Sequence, residues 1–488
     1  MGSVLRTLIA GLLVMGVAAP VTSSAQSLAD RHRAVDAPPL RVPVDINPDP
    51  SILEVNISAY LADVEIGPSL KVKAWTYDGG IPGPFLRAKI GDRLIVHFTN
   101  RLPEATTMHW HGVRVPIEMD GVPGISQPPM QTGDTFTYDF VLRDAGLFWY
   151  HPHVMSAAQV GFGLYGALQV DNPADGITVD DEVTLVLSDI GFNTVGALEP
   201  AESGGPAGMV FGREGEYVLV NGRRTPTLTM RAGTLQRWRI VNTAKSRFFL
   251  IDMDGQPFTV IGGDGGLQST PVTEQTLLVT TGERVDVLVA PRGVPGSTLS
   301  VRAMLYNRGY GSVQYRDVEE LMRIRFTDAP ALPARAMPAT SRRIVPTMRA
   351  GATEVPVVLT LPPAGKDGKS AFRVNGVPYW ESKPFTAALG ERQVWILRND
   401  TDWDHPFHLH GYFFMQLDDR DQPVQPLAWK DTLNVPMKST VRVLIDLNER
   451  PGEWMFHCHI LDHAEGGLMS TVQVGPPSGK THEHKPPQ

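Results

Sequence analysis

The chain has 488 residues, of which 42% are hydrophobic and 20% are charged, and its formal net charge is -8. This composition excludes a disordered chain, and the negative charge argues against a basic nucleic-acid-binding surface. At about 100–200 residues per domain, the length predicts roughly three domains.

The start of the chain is predicted to be a secretory signal peptide, residues 1–25. A basic residue precedes an apolar run over residues 8–19, and Ser23 and Ala25 stand at the small-residue cleavage positions. An uncleaved anchor is the alternative, although the run is short for a membrane span. We therefore expect an exported protein, periplasmic or secreted, with no membrane span in the mature chain.

A repeat follows in which each copy starts at a glycine, has a strand-like middle and ends at an asparagine. The copies are residues 91–100, 233–242 and 390–399, and Val-Asn-Gly, a hairpin-turn signal, precedes the second and third. An alternating apolar segment comes later in each unit, at residues 136–140, 285–289 and 441–445. Period-2 alternation predicts antiparallel β-structure with little helix, so three equivalent β-sandwich domains are expected.

Pro-rich stretches and the repeat spacing set the expected boundaries. They predict an N-terminal arm (26–50), a first domain (51–172), a second domain (173–328), a linker (329–350), a third domain (351–476) and a polar tail (477–488).

Histidines are distributed very unevenly along this framework. Ten of the fourteen fall in four clusters, and none lies between the second and third cluster. The middle domain is therefore expected to hold no metal, and the first and third domains must build one site together. The clusters are His109 and His111; His151 and His153; His405, His408 and His410; and His457, His459 and His463.

The spacing within the clusters suits a β-strand, where residues i and i+2 share a face about 7 Å apart. Two such imidazoles can serve neighbouring metals. In His457-Cys458-His459 the alternation places the sulfur on the opposite face from both rings. Structural zinc usually takes paired cysteines, which this chain with its lone Cys458 lacks. Two histidines and one thiolate form the blue-copper arrangement, which His405, Cys458 and His463 can provide.

The motifs at residues 109–112, 151–153, 405–411 and 457–463 resemble the four copper motifs of the three-domain multicopper oxidases, which include laccases, bilirubin oxidases and bacterial cuprous oxidases. The resemblance implies three consecutive cupredoxin-like Greek-key domains in an all-β fold. It also implies four copper ions, one of type 1, one of type 2 and two of type 3.

The same resemblance implies a ligand set for each copper, with no ligand position lost. Type 1 copper would be held by His405, Cys458 and His463, type 2 by His109 and His408, one type 3 ion by His111, His151 and His459, and the other by His153, His410 and His457.

Three acidic residues, at two places in the chain, are candidates for proton supply to dioxygen. Asp120 matches an acidic residue that relatives place near the type 2 copper, with a turn residue before Gly121 as the alternative. Many bacterial relatives carry Glu directly after the second type 1 histidine. This chain has Ala464 there, followed by Glu465, so Glu465 or Asp462 is a substitute.

Leu468 stands ten residues after the cysteine, where relatives carry the axial residue of the type 1 copper. We expect it to pack over the metal without coordinating it, with a plain core leucine as the compatible alternative.

Trp403, two residues before His405 as in bilirubin oxidases, is a possible substrate contact, with Asp402 and Asp404 on either side. The expected activity is laccase-like: phenols or aromatic amines are oxidised and dioxygen is reduced to water. A metallo-oxidase for Cu(I), Mn(II) or Fe(II) and a non-catalytic scaffold of the same fold are the alternatives, and intact ligands argue against the scaffold.

Overall fold

The computed structural model describes residues 40–68, 70–193, 196–309, 318–338, 342–345, 350–364 and 370–476. The predicted signal peptide and the polar tail lie outside these residues. No helix in the described ranges is long and apolar enough to cross a membrane.

The described chain forms six β-sheets and three short α-helices, which confirms the all-β class. The sheets group into three two-sheet units that follow one another along the chain.

The first unit pairs a four-stranded sheet of order β2-β1-β4-β6 with another of order β3-β8-β7-β5. Its elements are β1 (Ile52–Gly67), β2 (Leu70–Tyr77), β3 (Leu86–Lys89), β4 (Arg93–Asn100), β5 (His109–His111), β6 (Thr135–Val141), β7 (Gly146–His151), α1 (Ser156–Gly161) and β8 (Gly166–Asp171).

The second unit has sheets of order β10-β9-β12-β17-β14-β15 and β11-β19-β18-β13-β16. Its elements are β9 (Asp181–Ile190), α2 (Gly205–Phe211), β10 (Tyr217–Val220), β11 (Thr227–Met230), β12 (Gln236–Asn242), β13 (Phe249–Asp252), β14 (Phe258–Gly263), β15 (Gly266–Glu274), β16 (Thr276–Val279), β17 (Arg284–Val289), β18 (Thr298–Met304) and β19 (Glu319–Phe326).

The third unit has sheets of order β21-β20-β23-β27-β25 and β22-β29-β28-β24-β26. Its elements are β20 (Thr353–Thr360), β21 (Arg373–Val374), β22 (Phe385–Ala387), β23 (Glu391–Asn399), β24 (His405–Leu409), β25 (Phe414–Leu417), β26 (Thr432–Val435), β27 (Thr440–Leu447), β28 (Gly452–Cys458), α3 (Leu461–Glu465) and β29 (Met469–Val474).

The sequence repeat corresponds to a repeated topology. Strands β4, β12 and β23 are the three repeat copies, and each pairs in parallel with the first strand of its unit and antiparallel with the alternating strand, β6, β17 or β27. Each unit therefore buries the apolar face of the same strand pair, and each has its own hydrophobic core.

The asparagine that ends each copy fixes the following loop. Asn100, Asn242 and Asn399 are buried, and each side-chain amide donates to main-chain carbonyls while its oxygen accepts from the amide two residues later. In the third unit this arrangement holds the loop from Thr401 to Trp403 that leads into β24. In each unit the asparagine of the repeat thus fixes the start of the loop that follows its strand.

Candidate metal centre

Four short strands bring eight histidines together where the first unit meets the third. The strand register places His109 opposite His151 and His408 opposite His457. Seven of the eight side chains are buried, and His153 is half-buried. We call this group the histidine cluster; its members are His109, His111, His151, His153, His408, His410, His457 and His459.

The two units interleave their imidazoles in this cluster. The ring of His111 stacks on His408 with centroids 3.7 Å apart, and His109 stacks on His410 at 3.9 Å. Each pair joins one histidine of the first unit to one of the third. The cluster therefore exists only when both units are folded and docked.

Hydrogen bonding leaves one nitrogen of these rings free for a metal. In three of them Nδ1–H donates to a main-chain carbonyl, while the buried Nε2 has no partner among the described residues. The pairs are His109 with Asp120 at 2.7 Å, His151 with Pro152 at 2.9 Å and His408 with Asp431 at 2.9 Å. Burial lowers the pKa of His151 and His408, which keeps both rings neutral. A neutral ring anchored at one nitrogen fits a metal ligand.

His111 and His459 also carry buried nitrogens without a partner. In His111 the free atom is Nδ1, because Nε2 lies 3.1 Å from the hydroxyl of Thr432. In His459 both ring nitrogens are free in the described structure. A buried ring nitrogen without a hydrogen-bond partner destabilises the fold, and metal ions bound by the cluster would remove this destabilisation.

The donor atoms partly reproduce the ligand sets that the resemblance implied. His153, His410 and His457 lie within mutual metal-binding distance, and His109 groups with His408. His111 and His151 group with His109 rather than with His459, whose ring nevertheless lies 4.8 Å from His111. The assignment of individual ions remains a proposal.

Asp120 lies between the two halves of the cluster, buried with 1% exposure. Its carbonyl accepts from His109, and its carboxylate lies 2.8 Å from Nδ1 of His410. A turn residue would not need this burial, so Asp120 belongs to the environment of the cluster.

A second buried carboxylate, Asp431, lies beside the cluster and was not predicted from the sequence. Its carbonyl holds His408, and its side chain lies 3.3 Å from Nε2 of His111. Arg284 of the middle unit forms a buried ion pair with it. Because no local pattern connects Arg284 with Asp431, only the folded chain reveals the pair.

The middle unit, which holds no metal-compatible group in the described ranges, still shapes the cluster. Gly282 has a φ of +86°, and a β-carbon there would lie 2.8 Å from the ring of His459 and 3.0 Å from that of His111. A side chain at this position would displace two candidate ligands.

A second centre surrounds the cysteine; we call His405, Cys458 and His463 the thiolate site. Sγ of Cys458 lies 3.4 Å from Nδ1 of His405 and 3.8 Å from Nδ1 of His463, and those two nitrogens are 3.2 Å apart. The amide of Ile460 donates to the sulfur at 3.3 Å. Burial raises the pKa of the Cys458 thiol, so a bound cation is needed to keep it ionised. This donor set fits copper.

The outer sides of both histidines in the thiolate site are closed. Nε2 of His405 lies 2.7 Å from the Thr401 hydroxyl, and Nε2–H of His463 donates to the carbonyl of Val210 in α2 at 3.0 Å. Both rings are completely buried. A helix of the middle unit therefore covers this centre, which the sequence did not predict.

Leu468 lies beside the thiolate site, 1% exposed. Its carbonyl accepts from the Cys458 amide at 3.1 Å, and its own amide donates to the His463 carbonyl at 3.0 Å. These two bonds fix its position against both ligands, which suits the expected axial role. Met469 instead lines a cavity on the histidine-cluster side.

That cavity, of about 160 Å³, reaches His153 and His457 and is lined by Glu465. Glu465 Oε1 accepts from the Ala157 amide at 2.9 Å, and burial raises the pKa of its carboxyl to about 7. Its companion candidate Asp462 is held by Arg213 in an ion pair and is not among the described residues that line this cavity.

The residues beside Trp403 differ in their exposure. Asp402 is 74% exposed and pairs with Lys438, whereas Asp404 is buried and accepts from Tyr306, Asn434 and the Met437 amide. Asp404 cannot meet a substrate at the surface, which corrects the expectation for that residue. It fixes the loop instead.

Models of the multicopper oxidase family match residues 61–175, 181–306 and 352–478. The chain belongs to the multicopper oxidase family. It is accordingly an oxidoreductase with copper as its cofactor.

The relatives include proteins with different named roles. The chain is 32% identical over 451 residues to multicopper oxidase MmcO of Mycobacterium tuberculosis, with 84% of this chain and 85% of that one covered. A Pseudomonas thermotolerans multicopper oxidase structure shares 31% identity and a TM-score of 0.73, covering 87% of this chain and 99% of that one. A Campylobacter jejuni enzyme described as a metallo-oxidase shares 26% identity and a TM-score of 0.79, with 90% and 94% covered.

Proposed function

We propose that this multicopper oxidase binds four copper ions and couples one-electron oxidation of phenols or aromatic amines to reduction of dioxygen to water. The position of Cys458 carries this proposal. Its sulfur belongs to the thiolate site, and its chain neighbours His457 and His459 belong to the histidine cluster. When bound, copper supplies one-electron oxidation at the first centre and four-electron reduction of dioxygen at the second.

The protein side chains hold the thiolate site away from solvent. The closed outer nitrogens of His405 and His463 prevent a donor from reaching the ligands directly. This supports outer-sphere electron transfer, in which the donor stays outside.

Aromatic rings provide a path from the surface to this site. Phe372 packs 4.4 Å from the ring of His463, and the half-buried Trp403 lies 6.4 Å from Phe372. Beside Trp403, the exposed Asp402 is paired with Lys438, so this charge does not select between donors. We place the donor at Trp403.

Oxidation of Cu(I), Mn(II) or Fe(II) is the second candidate, supported by the metallo-oxidase among the relatives. A metal-ion substrate needs several ligand side chains close to Trp403, the proposed position of the donor. In this region Asp404 and Asp462 already bind other partners. Helix α2 offers only Met209 as a side-chain ligand. The described residues therefore favour an organic donor.

Steady-state kinetics of the copper-loaded protein on a phenol, an aromatic diamine, bilirubin and Cu(I) tests the proposal. We expect the organic donors to give a higher kcat/KM than Cu(I) and Trp403→Leu to lower it, while reoxidation of the reduced protein by dioxygen keeps its parental rate. A higher kcat/KM for Cu(I), unaffected by Trp403→Leu, would establish the metallo-oxidase instead.

We also propose that the protein is exported, on the basis of residues 1–25. Amino-terminal sequencing of protein from the periplasm or medium tests this: a chain beginning at Gln26 supports cleavage after Ala25.

A further inference from the structure

A cleft of about 570 Å³ lies between the first and third units and is separate from both copper centres, since none of the described residues that line it is a histidine. Four arginines contribute to its walls: Arg93, Arg114, Arg143 and Arg450. Two of them have acidic partners. Arg93 binds Asp139 through two nitrogens, and Arg114 binds Asp144 in the same way.

Arg450 differs from these two because it is buried without a partner. The residue is 8% exposed, its Nη1 atom is shielded from solvent, and its guanidinium makes no hydrogen bond or ion pair with the described residues. Its main chain is fixed, because its carbonyl accepts from the indole of Trp454 at 3.1 Å and from the hydroxyl of Tyr412. The residue is therefore anchored through its main chain, and its side chain lines the wall of the cleft.

The surrounding charges do not neutralise Arg450. Burial lowers the pKa of its guanidinium to about 10, the positive charges of Arg114 and Arg143 act in the same direction, and Asp144 opposes them. The cleft also contains Glu118 and Glu449, but both are exposed. Arg143 is exposed and, like Arg450, has no hydrogen-bonded partner in the described ranges.

An unpaired buried charge destabilises a folded protein, and an anion bound beside it removes that cost. The guanidinium fork matches the paired oxygens of phosphate or carboxylate groups. We propose that this cleft is a binding site for a small oxyanion, held by Arg450 from the buried wall and by Arg143 from the rim. The site needs no copper chemistry and so does not depend on the proposed function.

Binding of inorganic phosphate to the copper-loaded protein tests the site at constant ionic strength. We expect saturable binding by calorimetry and a thermal unfolding midpoint that rises with the logarithm of phosphate concentration. Acetate in a parallel titration separates carboxylates from tetrahedral oxyanions, and saturable binding of either supports the site.

Three variants make the test specific. Arg450→Gln should weaken phosphate binding at least tenfold and leave the phosphate-free protein as stable as the parent or more stable. Arg143→Gln should weaken binding less, and Arg398→Gln, an exposed control outside the cleft, should bind normally. No binding to the parent, or equal binding to the parent and Arg450→Gln, would overturn the proposal. If Arg450→Gln does not fold, unchanged binding by Arg143→Gln overturns it.

Discussion

The carboxylate of Asp120 lies 2.8 Å from Nδ1 of His410, 290 residues further along the chain. The main-chain carbonyl of the same aspartate accepts a hydrogen bond from His109. One residue thus orients two histidines that stack on each other across the boundary between the first and third units. We propose that this ionised carboxylate accepts and relays protons on their way to the histidine cluster.

Asp120→Asn keeps the shape of the side chain and its carbonyl contact with His109. It removes the charge and the ability to transfer a proton. We expect reoxidation of the reduced protein by dioxygen to slow by about 10²-fold or more, the usual contribution of a positioned acid or base, with little effect on reduction by the donor. Stopped-flow measurement of both half-reactions checks this. Equal slowing of the two would assign Asp120 a purely structural role.

Arg284→Gln should destabilise the fold through Asp431. Arg284 is 1% exposed, and its loss leaves the buried Asp431 carboxylate beside His111 without its cation. Breaking one side of a buried pair costs about 3–5 kcal/mol. Chemical denaturation should show this loss, together with lower copper occupancy. Arg93→Gln, which breaks an exposed pair with Asp139, is the control and should cost less than about 1 kcal/mol.

Cys458→Ser should remove the intense visible charge-transfer band and the oxidase activity. The copper content should fall by about one ion per chain, since the histidine cluster has its own ligands. Absorption spectroscopy with metal analysis checks both. A variant that stays blue would rule out Cys458 as the thiolate ligand.

The fold and the candidate ligand residues could be identified from the sequence because they depend on local patterns. Period-2 alternation, repeated asparagine ends and paired histidines all recur within a few residues. The environment of the ligands was not predictable in this way. The contacts of Arg284 with Asp431 and of Val210 with His463 join distant strands and helices, and an arginine or a main-chain carbonyl carries no sequence signal of its partner. The burial of Asp404 could not be predicted for the same reason, because it depends on contacts with Tyr306 and Asn434, which are distant in the sequence.

Glu465→Gln tests the second proton route. Glu465 lines the cavity that reaches His153 and His457, and the amide of glutamine can still accept from Ala157. We expect turnover to fall by about 10²-fold, with copper content and the visible band unchanged. Asp462→Asn is the comparison, because its loss breaks the ion pair with Arg213 and should reduce stability rather than proton delivery. Parental turnover by Glu465→Gln would exclude this route.

Leu468→Met tests the axial position of the thiolate site. Leu468 is fixed between the main chains of Cys458 and His463 and offers no lone pair to a metal. A thioether at this place would donate weakly and stabilise Cu(II), so the leucine favours Cu(I) and a high reduction potential. Methionine changes the volume little, and the packing cost should stay below about 1.5 kcal/mol.

Redox titration of the visible band should therefore give a lower potential for Leu468→Met than for the parent, and turnover of the donors that are hardest to oxidise should fall most. Met469→Leu is the matched control, because Met469 faces the cavity beside the histidine cluster and its loss should leave the potential unchanged. If the reduction potential is unchanged in Leu468→Met but shifted in Met469→Leu, the assignment of Leu468 as the axial residue is wrong. The axial residue would then be Met469, and the sulfur already present would imply a lower potential for the natural protein.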